Sequence, residues 1–196
     1  MPQKRSNRKN VTSKKTARKA GTAKKKTARK ASAAKKKTTG RKGTSSRASK
    51  PLFRVGRSEI QGKGAFATRD IRRGERIGEY TGERISWEEA DARYDDESQG
   101  RHHTFLFEVD DETVIDAAVG GNAAKYINHS CDPNCEATIE HGHVFIDALR
   151  GIRQGEELFY DYNYVLDEPH TAAVKKRYPC WCGAKNCRGT ILAKKR

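Results

Sequence analysis

The stretch that most constrains what this chain can fold into runs from Asn128 to Cys135 and reads Asn-His-Ser-Cys-Asp-Pro-Asn-Cys. It brings amide, imidazole, hydroxyl and thiol groups close together in the chain, and its proline stiffens the turn. Polar groups beside a proline turn are more typical of ligand recognition than of strand pairing. By itself, the stretch is also compatible with a polar loop that merely connects two strands.

Three further cysteines, Cys180, Cys182 and Cys187, lie close together near the end of the sequence. The total of 5 cysteines is an odd number, which argues against a secreted disulfide framework. The close spacing favours a metal site in a reducing compartment, with free thiols as the alternative. No apolar run is as long as a membrane span, and the N-terminus lacks the apolar core of a secretory signal. We therefore expect an intracellular protein with no membrane partner.

Charge is distributed very unevenly along the chain. Residues 1–50 contain 20 Lys and Arg and no Asp or Glu, whereas the remaining residues carry 21 basic and 25 acidic side chains. Residues 1–50 hold too few apolar side chains to offset the entropy of ordering, which predicts a disordered tail. Dense, unbalanced positive charge releases counterions from phosphates, which predicts DNA binding through this tail. A solubilising or targeting tail is the alternative.

Local patterns predict several elements of secondary structure. Ser86-Trp87-Glu88-Glu89 is a capping box, which predicts a helix from Trp87 to about Tyr94. Strands are predicted at 53–55, at 104–109 and 113–116 as one hairpin, and at 137–140 and 144–148 as another. The second hairpin turns at His141-Gly142-His143, which we interpret as a polar turn, with a zinc role for the histidines as the alternative.

Four motifs occur in a fixed order between residues 52 and 192. They are Gln61–Ala67 with its Gly-Lys-Gly, Ile77–Glu83, Gly121–Asn134 with Tyr-Ile-Asn-His-Ser-Cys-Asp-Pro-Asn, and Gly155–Tyr162. In these motifs the chain resembles the SET-domain protein lysine methyltransferases, and the later Cys180-x-Cys182-x4-Cys187 resembles the post-SET element of the trithorax-type branch. The resemblance implies a mostly β fold of small sheets with a pseudoknot and short helices. Its SET domain would span residues 51–165, followed by a post-SET zinc-binding segment at 166–196.

The resemblance also assigns roles to individual aromatic residues. Tyr162 would point its hydroxyl at the transfer centre, and Tyr80 would orient the target amine. Tyr160 would limit the number of methyl groups added, which implies mono- or dimethylation. Phe105 and Tyr126 would narrow the lysine channel, although family members usually have a tyrosine where this chain has Phe105.

Two ligands follow from the same resemblance. The methyl donor S-adenosylmethionine would contact a set of residues drawn from three motifs and the C-terminal segment: Gln61, Gly62, Lys63, Gly64, Phe105, Asn128, His129 and Trp181. A structural zinc ion would be bound by four thiolates: Cys131, Cys180, Cys182 and Cys187. Cys135 is left over and is expected to pack in the core.

The resemblance implies an S-adenosylmethionine-dependent protein-lysine N-methyltransferase that acts on basic histone or histone-like tails. An architectural chromatin or nucleoid DNA-binding protein with a degenerate SET domain is one alternative, and a methyltransferase of another basic protein is a second. The tail repeat at Lys14–Ala20 and Lys25–Ala31 is similar to the sequence around a methylated histone lysine, so Lys19 and Lys30 are candidate substrates of the chain itself. The expected location is the nucleus and its chromatin, or the nucleoid and cytoplasm in a bacterium.

Overall fold

The computed structural model describes residues 50–94, 105–166 and 168–194, and the backbone of Arg8 and Lys9. Its strands form small sheets of two, three and five strands joined by short helices, which confirms the mostly β prediction. In chain order the strands are β1 (Arg8–Lys9), β2 (Phe53–Ser58), β3 (Gly62–Ala67), β4 (Arg76–Tyr80), β5 (Glu83–Ile85), β6 (Leu106–Glu108), β7 (Val114–Asp116), β8 (Asn128–His129), β9 (Cys135–Glu140), β10 (His143–Ala148), β11 (Phe159–Tyr160) and β12 (Tyr164–Val165). The helices are α1 (Trp87–Arg93), a 3₁₀ helix (Ala123–Tyr126) and α2 (Ala172–Arg177).

The largest sheet has the strand order β4-β10-β9-β11-β8 and forms the centre of the main core. Its hairpin β9–β10 is the predicted one, and its turn residues His141 and Gly142 have φ angles of 52° and 80°. Two consecutive residues with positive φ form the tight turn that matches the twist of paired strands. In β10, the fully buried Val144 and Ile146 alternate with more exposed residues, so one face of the strand packs on the core.

Two short strands bring distant parts of the sequence together at the end of this sheet. β11 pairs in parallel with β8, so that Phe159 lies opposite Asn128 and Tyr160 lies opposite His129. Tyr160 also pairs with Cys135 of β9. The Asn128–Cys135 stretch is therefore built into the sheet beside the Gly155–Tyr162 motif, and both Asn128 and His129 are buried.

A three-stranded sheet of order β5-β7-β6 packs against α1. The hydroxyl of Ser86 accepts a 3.2 Å hydrogen bond from the Glu89 N–H, which confirms Ser86 as the N-cap of the predicted helix, and the helix ends at Arg93. Arg93 and Tyr94 both donate to the carboxylate of Asp116, at 3.0 and 2.8 Å. Asp116 is completely buried, so these two donors compensate the burial of its charge.

The strands β6 and β7 form the other predicted hairpin, shortened to the central residues of each predicted strand. The carboxylate of Asp110 accepts hydrogen bonds from the N–H groups of Glu112 (3.0 Å) and Thr113 (2.7 Å). This local pattern closes the turn between the strands.

A separate small core anchors the C-terminal segment. Its buried members are Tyr164, Leu166, Val174, Tyr178 and Leu192. The Ala193 N–H donates to the carbonyl of Tyr164 at 2.8 Å, which fastens the end of the described chain to β12. The hydroxyl of Thr171 accepts from the Val174 N–H at 3.2 Å and begins α2. The C-terminal segment therefore folds onto the end of the SET-like sheets.

Little of the predicted tail falls within the described residues. The first compact unit of the chain joins the backbone of Arg8 and Lys9 with the described residues from Pro51 onward. Lys19 and Lys30 lie outside the described residues. Within the described ranges, no helix is both long enough and apolar enough to cross a membrane.

In the first unit, the backbone of β1 pairs antiparallel with β12. Arg8 lies opposite Val165 and Lys9 lies opposite Tyr164. The same strand contacts β6 of the three-stranded sheet.

Candidate active site and metal centre

A cavity of about 790 Å³ lies between the sheets and the C-terminal segment. Its walls include every residue predicted to be catalytic and every residue predicted to contact a cofactor, with the exception of Gly64: Gln61, Gly62, Lys63, Tyr80, Phe105, Asn128, His129, Tyr160, Tyr162 and Trp181. Tyr126 of the predicted channel also lines it. Residues more than 100 positions apart in the sequence therefore meet around one space.

Aromatic side chains form much of the cavity wall. The rings of Tyr160 and Tyr162 lie 4.7 Å apart, and Phe105 meets Tyr126 edge to face at 5.8 Å. The hydroxyl of Tyr80 donates to the Phe105 carbonyl at 2.8 Å. The hydroxyl of Tyr162 donates to the Ile127 carbonyl at 2.9 Å. Each of these two hydroxyl protons is thus committed to the backbone, which leaves the oxygen lone pairs for an electropositive group.

The environment keeps these hydroxyls protonated. Burial raises the pKa of Tyr80, of Tyr160 and of Tyr162 above that of an ordinary phenol, and neighbouring tyrosines add to the rise at Tyr80 and Tyr160. A tyrosinate is therefore not available as a general base near neutral pH. The hydroxyls can orient and stabilise partners through neutral hydrogen bonds and lone pairs.

The side chain of Asn128 serves the scaffold. Its Nδ2 lies 2.9 Å from the Lys63 carbonyl, 2.9 Å from Glu157 Oε1 and 3.2 Å from Ser58 Oγ. It therefore ties β8 to β2, β3 and the strand segment before β11. These protein partners occupy the Nδ2 atom of Asn128, and a contact between Asn128 and a cofactor stays a prediction.

Gly64 lies behind the cavity wall, where it accommodates a protein carboxylate. A Cβ atom at this position would lie 2.1 Å from Glu157 Oε1 and 2.9 Å from Ser58 Cβ. A side chain at position 64 would therefore collide with Glu157, and a contact between Gly64 and a cofactor stays a prediction. The missing side chain makes room for the Glu157–Asn128 hydrogen bond.

We expect Gly64→Ala to lower the free energy of unfolding by about 1–3 kcal/mol, because the added methyl group overpacks the Glu157 carboxylate. Gly151→Ala is a matched control, since nothing lies within 4 Å of a Cβ there. Chemical denaturation of both variants measures the difference. Equal stability of the two variants would contradict the packing role of Gly64.

The four cysteines implied as zinc ligands come together next to the cavity. The Sγ atoms of Cys131, Cys180, Cys182 and Cys187 all lie within 4.8 Å of one another, and those of Cys131 and Cys180 are 3.7 Å apart. Tetrahedral zinc thiolates with bonds of about 2.3 Å place their sulfurs roughly 3.8 Å apart. The cluster therefore fits a closed, structural zinc site.

Backbone donors surround these sulfur atoms. The Arg188 N–H lies 3.3 Å from Cys131 Sγ, and the Gly189 N–H lies 3.4 Å from Cys187 Sγ. Burial raises the pKa of the Cys131 and Cys180 thiols, whereas at Cys182 the backbone donors and neighbouring thiols outweigh burial and lower the pKa to about 6. N–H groups aimed at sulfur favour the thiolate form that a metal requires.

Two contacts join the cysteine cluster to the cavity. His129 Nδ1 accepts from the Tyr162 N–H at 3.1 Å, and its Nε2 lies 3.5 Å from Cys131 Sγ. Because Nδ1 accepts, the proton of a neutral ring is on Nε2, which faces the sulfur. The His129 imidazole thus bridges the backbone of Tyr162 and the sulfur of Cys131.

The second contact is an ion pair. Both Nη atoms of Arg188 donate to the Asp161 carboxylate, at 2.6 and 2.8 Å. Burial acts to raise the pKa of the Asp161 carboxyl, but the Arg188 guanidinium lowers it below its usual value. Since Arg188 follows Cys187 and Asp161 precedes Tyr162, the pair fastens the cysteine segment to the cavity wall. Neither residue was predicted from the sequence, although each adjoins a predicted site residue in the chain.

Several other wall residues were not anticipated: Ile60, Lys125, Tyr164, Arg177, Tyr178, Pro179 and Ile191. Lys125 Nζ lies 5.3 Å from the centre of the Phe105 ring and donates to the Ala117 carbonyl at 3.1 Å. Lys125 directly precedes Tyr126 in the Gly121–Asn134 motif, and this position in the sequence could have indicated that it lies near the channel. Trp181 retains 69% of its surface exposed, so this predicted cofactor residue stands at the mouth of the cavity.

The small sheets, the internal Asn128–Cys135 stretch and the aromatic cavity beside four thiols define a SET-type architecture. The family profile "SET domain" matches residues 62–163, more than half of the chain. The chain belongs to the SET-domain family, as the sequence motifs predicted.

Curated relatives match the same region. The chain is 41% identical over 152 residues to histone-lysine N-methyltransferase trithorax of Drosophila virilis, covering 74% of this chain and 4% of that protein. It is 42% identical over 149 residues to histone-lysine N-methyltransferase 2B of Homo sapiens, with 72% and 5% covered. It is 40% identical over 151 residues to histone-lysine N-methyltransferase, H3 lysine-4 specific, of Saccharomyces cerevisiae, with 74% and 14% covered. These matches confirm the trithorax-type resemblance, and the chain spans only a small part of each relative.

Proposed function

We propose that this chain transfers a methyl group from S-adenosylmethionine to a lysine side chain of a basic histone or histone-like tail. The observation that carries the proposal is the pair of hydroxyls, Tyr80 and Tyr162, that line an aromatic cavity with their protons held by backbone carbonyls. Membership of the SET-domain family supports the reaction class. The names of the relatives, which are histone-lysine methyltransferases, supply histones as the substrate class.

The reaction is an in-line displacement at carbon, for which the bound donor supplies a methyl group on a positively charged sulfur. The lysine nitrogen must reach it uncharged, although the pKa of a free lysine is about 10.4. Walls made of Phe105, Tyr126 and Tyr162 exclude water and penalise the ammonium form. The lone pairs of Tyr80 and Tyr162 would help to align the lysine amine with the electropositive methyl group of the donor.

The donor would be held on the side of the cavity opposite the lysine channel. Lys63 and Gln61 of the β2–β3 turn, the backbone of Asn128 and His129, and Trp181 supply this side. Phe105 would sit between donor and channel. Gly64 would act indirectly, through the packing of β3 against Glu157.

A structural zinc ion would be held by Cys131, Cys180, Cys182 and Cys187, and it would supply a rigid link between the C-terminal segment and the cavity wall. His129 and Arg188 extend that link to the neighbours of Tyr162. In this proposal the metal takes no part in methyl transfer, because all four ligand positions are filled by protein sulfur.

The proposed substrate class rests on charge as well as on similarity to the relatives. Residues 51–196 carry a small acidic excess, which suits a Lys/Arg-rich peptide. The basic tail would hold the enzyme on DNA, so that chromatin in the nucleus is the proposed place of action. Lys19 and Lys30 of the tail repeat stay candidate substrates, and mass spectrometry after incubation with the donor tests them.

Transfer of a labelled methyl group onto a panel of histones and ribosomal proteins tests the substrate class. We expect label on a histone tail. Label confined to ribosomal proteins would favour the alternative of a non-histone methyltransferase. Absence of label on every protein, with DNA still bound, would favour the architectural alternative.

We expect Tyr160→Phe to shift the product toward higher methylation. In the part of the chain that the structure describes, no hydrogen bond involves the Tyr160 hydroxyl, although the residue is buried beside Tyr162. That hydroxyl can hold a water molecule in space that an added methyl group would need. Mass spectrometry of the product lysine measures the effect, and an unchanged ratio of mono-, di- and trimethylated product would contradict it.

A further inference from the structure

Lys125 places a positive charge in the wall of the cavity. It lies in the 3₁₀ helix directly before Tyr126, is half-buried and lines the cavity. Its Nζ atom lies 5.3 Å from the centre of the Phe105 ring and 5.5 Å from the centre of the Tyr126 ring. The ammonium group therefore stands beside the two rings that would narrow the lysine channel.

A backbone carbonyl holds this ammonium group in place. The Nζ atom of Lys125 donates to the Ala117 carbonyl at 3.1 Å. Within the described chain, its hydrogen-bond partner is thus a neutral group and not a carboxylate. The charge on Lys125 is fixed at the cavity wall without being offset by a direct ion pair.

The charged groups on neighbouring elements leave that charge uncompensated. The carboxylate of Asp116, which precedes Ala117, is paired with Arg93 at 3.0 Å. The strands β2, β3 and β4 contact the 3₁₀ helix. The charged residues of β2 and β3 are all basic, and in β4 the Glu79 carboxylate lies 2.7 Å from His143 Nδ1.

Among the described residues that line the cavity there are three Lys or Arg and no Asp or Glu. Besides Lys125 they are Lys63, with Nζ 5.0 Å from the centre of the Tyr126 ring, and Arg177, which forms an ion pair with Glu168. The remaining titratable groups of the wall are the tyrosines of β4, the 3₁₀ helix, β11 and β12, together with His129, Tyr162, Tyr178 and Cys180. A lysine that enters the cavity therefore meets a positively charged wall.

We infer that the positive charge of Lys125 disfavours the protonated acceptor lysine, so that the acceptor reacts as the free amine. The inference rests on the proposed methyltransferase function and adds an electrostatic residue to it. The proton of an acceptor ammonium brings an additional positive charge into the cavity, which a nearby like charge opposes. Methyl transfer only moves an existing positive charge from sulfur to nitrogen, so Lys125 acts mainly on protonation.

The atoms balance in a simple sequence. The bound ammonium first releases a proton to water. The nitrogen lone pair then forms the new C–N bond, and the S–C bond breaks with its electron pair left on sulfur. Lys125 takes no proton in this sequence, because it acts through its charge alone.

Removal of the charge in Lys125→Met has a distinctive kinetic signature. A unit charge roughly 8 Å away near a protein surface changes the pKa of a lysine by about one unit. Without Lys125, the pKa of the bound acceptor moves up toward the 10.4 of free lysine, so the rise of kcat with pH shifts by about one unit to higher pH. At pH 7 we expect kcat and the KM for the peptide each to fall about tenfold, with kcat/KM nearly unchanged, because only the bound ground state is affected.

The pH dependence of transfer tests the inference. The full, zinc-loaded chain is saturated with S-adenosylmethionine, and methylation of a histone H3 tail peptide is followed from about pH 6 to about pH 10. Lys125→Arg keeps the charge and is expected to keep the wild-type profile. Lys176→Met removes an exposed charge of α2 outside the cavity wall and is the matched control, with an unchanged profile expected. Lys125→Gln supplies a second neutral variant if Lys125→Met does not fold.

The outcomes separate the inference from the proposed function. A wild-type pH profile in the neutral variants would overturn the inference, and so would a kcat lowered by one factor at every pH, which is the mark of a structural role. A raised KM for S-adenosylmethionine without a shift of the profile would also overturn it, because Lys125 would then serve donor binding. Absence of transfer by the wild-type chain at every pH would contradict the proposed function, and the inference with it.

Discussion

Loss of the cysteine cluster is expected to weaken donor binding strongly and to abolish methyl transfer while the main sheets stay folded. Cys182→Ser removes one of four sulfurs that lie within 4.8 Å of one another. Structural zinc sites of this kind contribute about 10–16 kcal/mol of binding free energy in small domains. The C-terminal segment has only the small core around Tyr164 and Leu192 to replace that contribution.

Two direct contacts, Arg188 with Asp161 and Cys131 with His129, connect the cysteine cluster to the cavity wall. When Cys182 is replaced, Arg188 is no longer fixed against Asp161, and the Cys131 contact that orients His129 is loosened. We expect the affinity for S-adenosylmethionine to fall by at least about tenfold and transfer to fall below detection, since Trp181 belongs to the released segment. Calorimetric titration measures the affinity for the donor. Metal analysis measures the zinc content, and hydrogen exchange measures the loosening of the C-terminal segment.

Cys135→Ala serves as the control for this experiment. Cys135 is fully buried in the main core and lies outside the four-sulfur cluster. Burial raises the pKa of its thiol to about 12, and its place in the main core, away from the four sulfurs, makes it a packing residue. The Cys135→Ala protein should lose some stability and keep its bound zinc and its affinity for the donor. Unchanged donor affinity in a zinc-free Cys182→Ser protein would contradict the account.

The second large effect is expected from Tyr162→Phe. The substitution removes one hydroxyl whose proton is held by the Ile127 carbonyl and whose lone pairs face the cavity. Loss of one such pre-oriented polar group at a reaction centre lowers kcat by roughly 10²–10³-fold. Donor affinity should change little, because the ring remains and still packs against Tyr160.

Tyr94→Phe is the matched control for Tyr162→Phe. The hydroxyl of Tyr94, which follows α1, donates to the buried Asp116 carboxylate at 2.8 Å. Tyr94 is not among the residues that line the cavity. The control is expected to lose about 1 kcal/mol of stability and to keep its kcat. Single-turnover transfer rates and thermal unfolding measure both variants. A wild-type rate in Tyr162→Phe would remove this residue from the mechanism.

Local sequence patterns predicted those elements whose causes are local. The helix N-cap at Ser86 and the turn at His141-Gly142 each depend on a few neighbouring residues, and both form as expected. The spacing of Cys180, Cys182 and Cys187 likewise indicated that they would act together. The inclusion of Cys131 came from the family resemblance, because no local pattern connects it with residues about 50 positions away.

Contacts between distant residues could not be read from the chain. Asp161 and Arg188 are ordinary charged residues in the sequence, and only the fold makes them a nearly buried pair with an Arg188 side chain that is 13% exposed. The need for glycine at position 64 depends on Glu157, which approaches from another motif. The partners of the Asn128 side chain are likewise set by tertiary packing and not by the motif around it.

The central claim is that the aromatic cavity moves a methyl group from S-adenosylmethionine to the nitrogen of a lysine. A single-turnover reaction of the full, zinc-loaded chain with donor bearing a deuterated methyl group and a histone H3 tail peptide tests it most directly. Peptide sequencing by mass spectrometry is expected to place the deuterated methyl group on a lysine side chain, as one or two additions. An H3 tail that stays unmodified, together with other histones tested in the same way, would contradict the account.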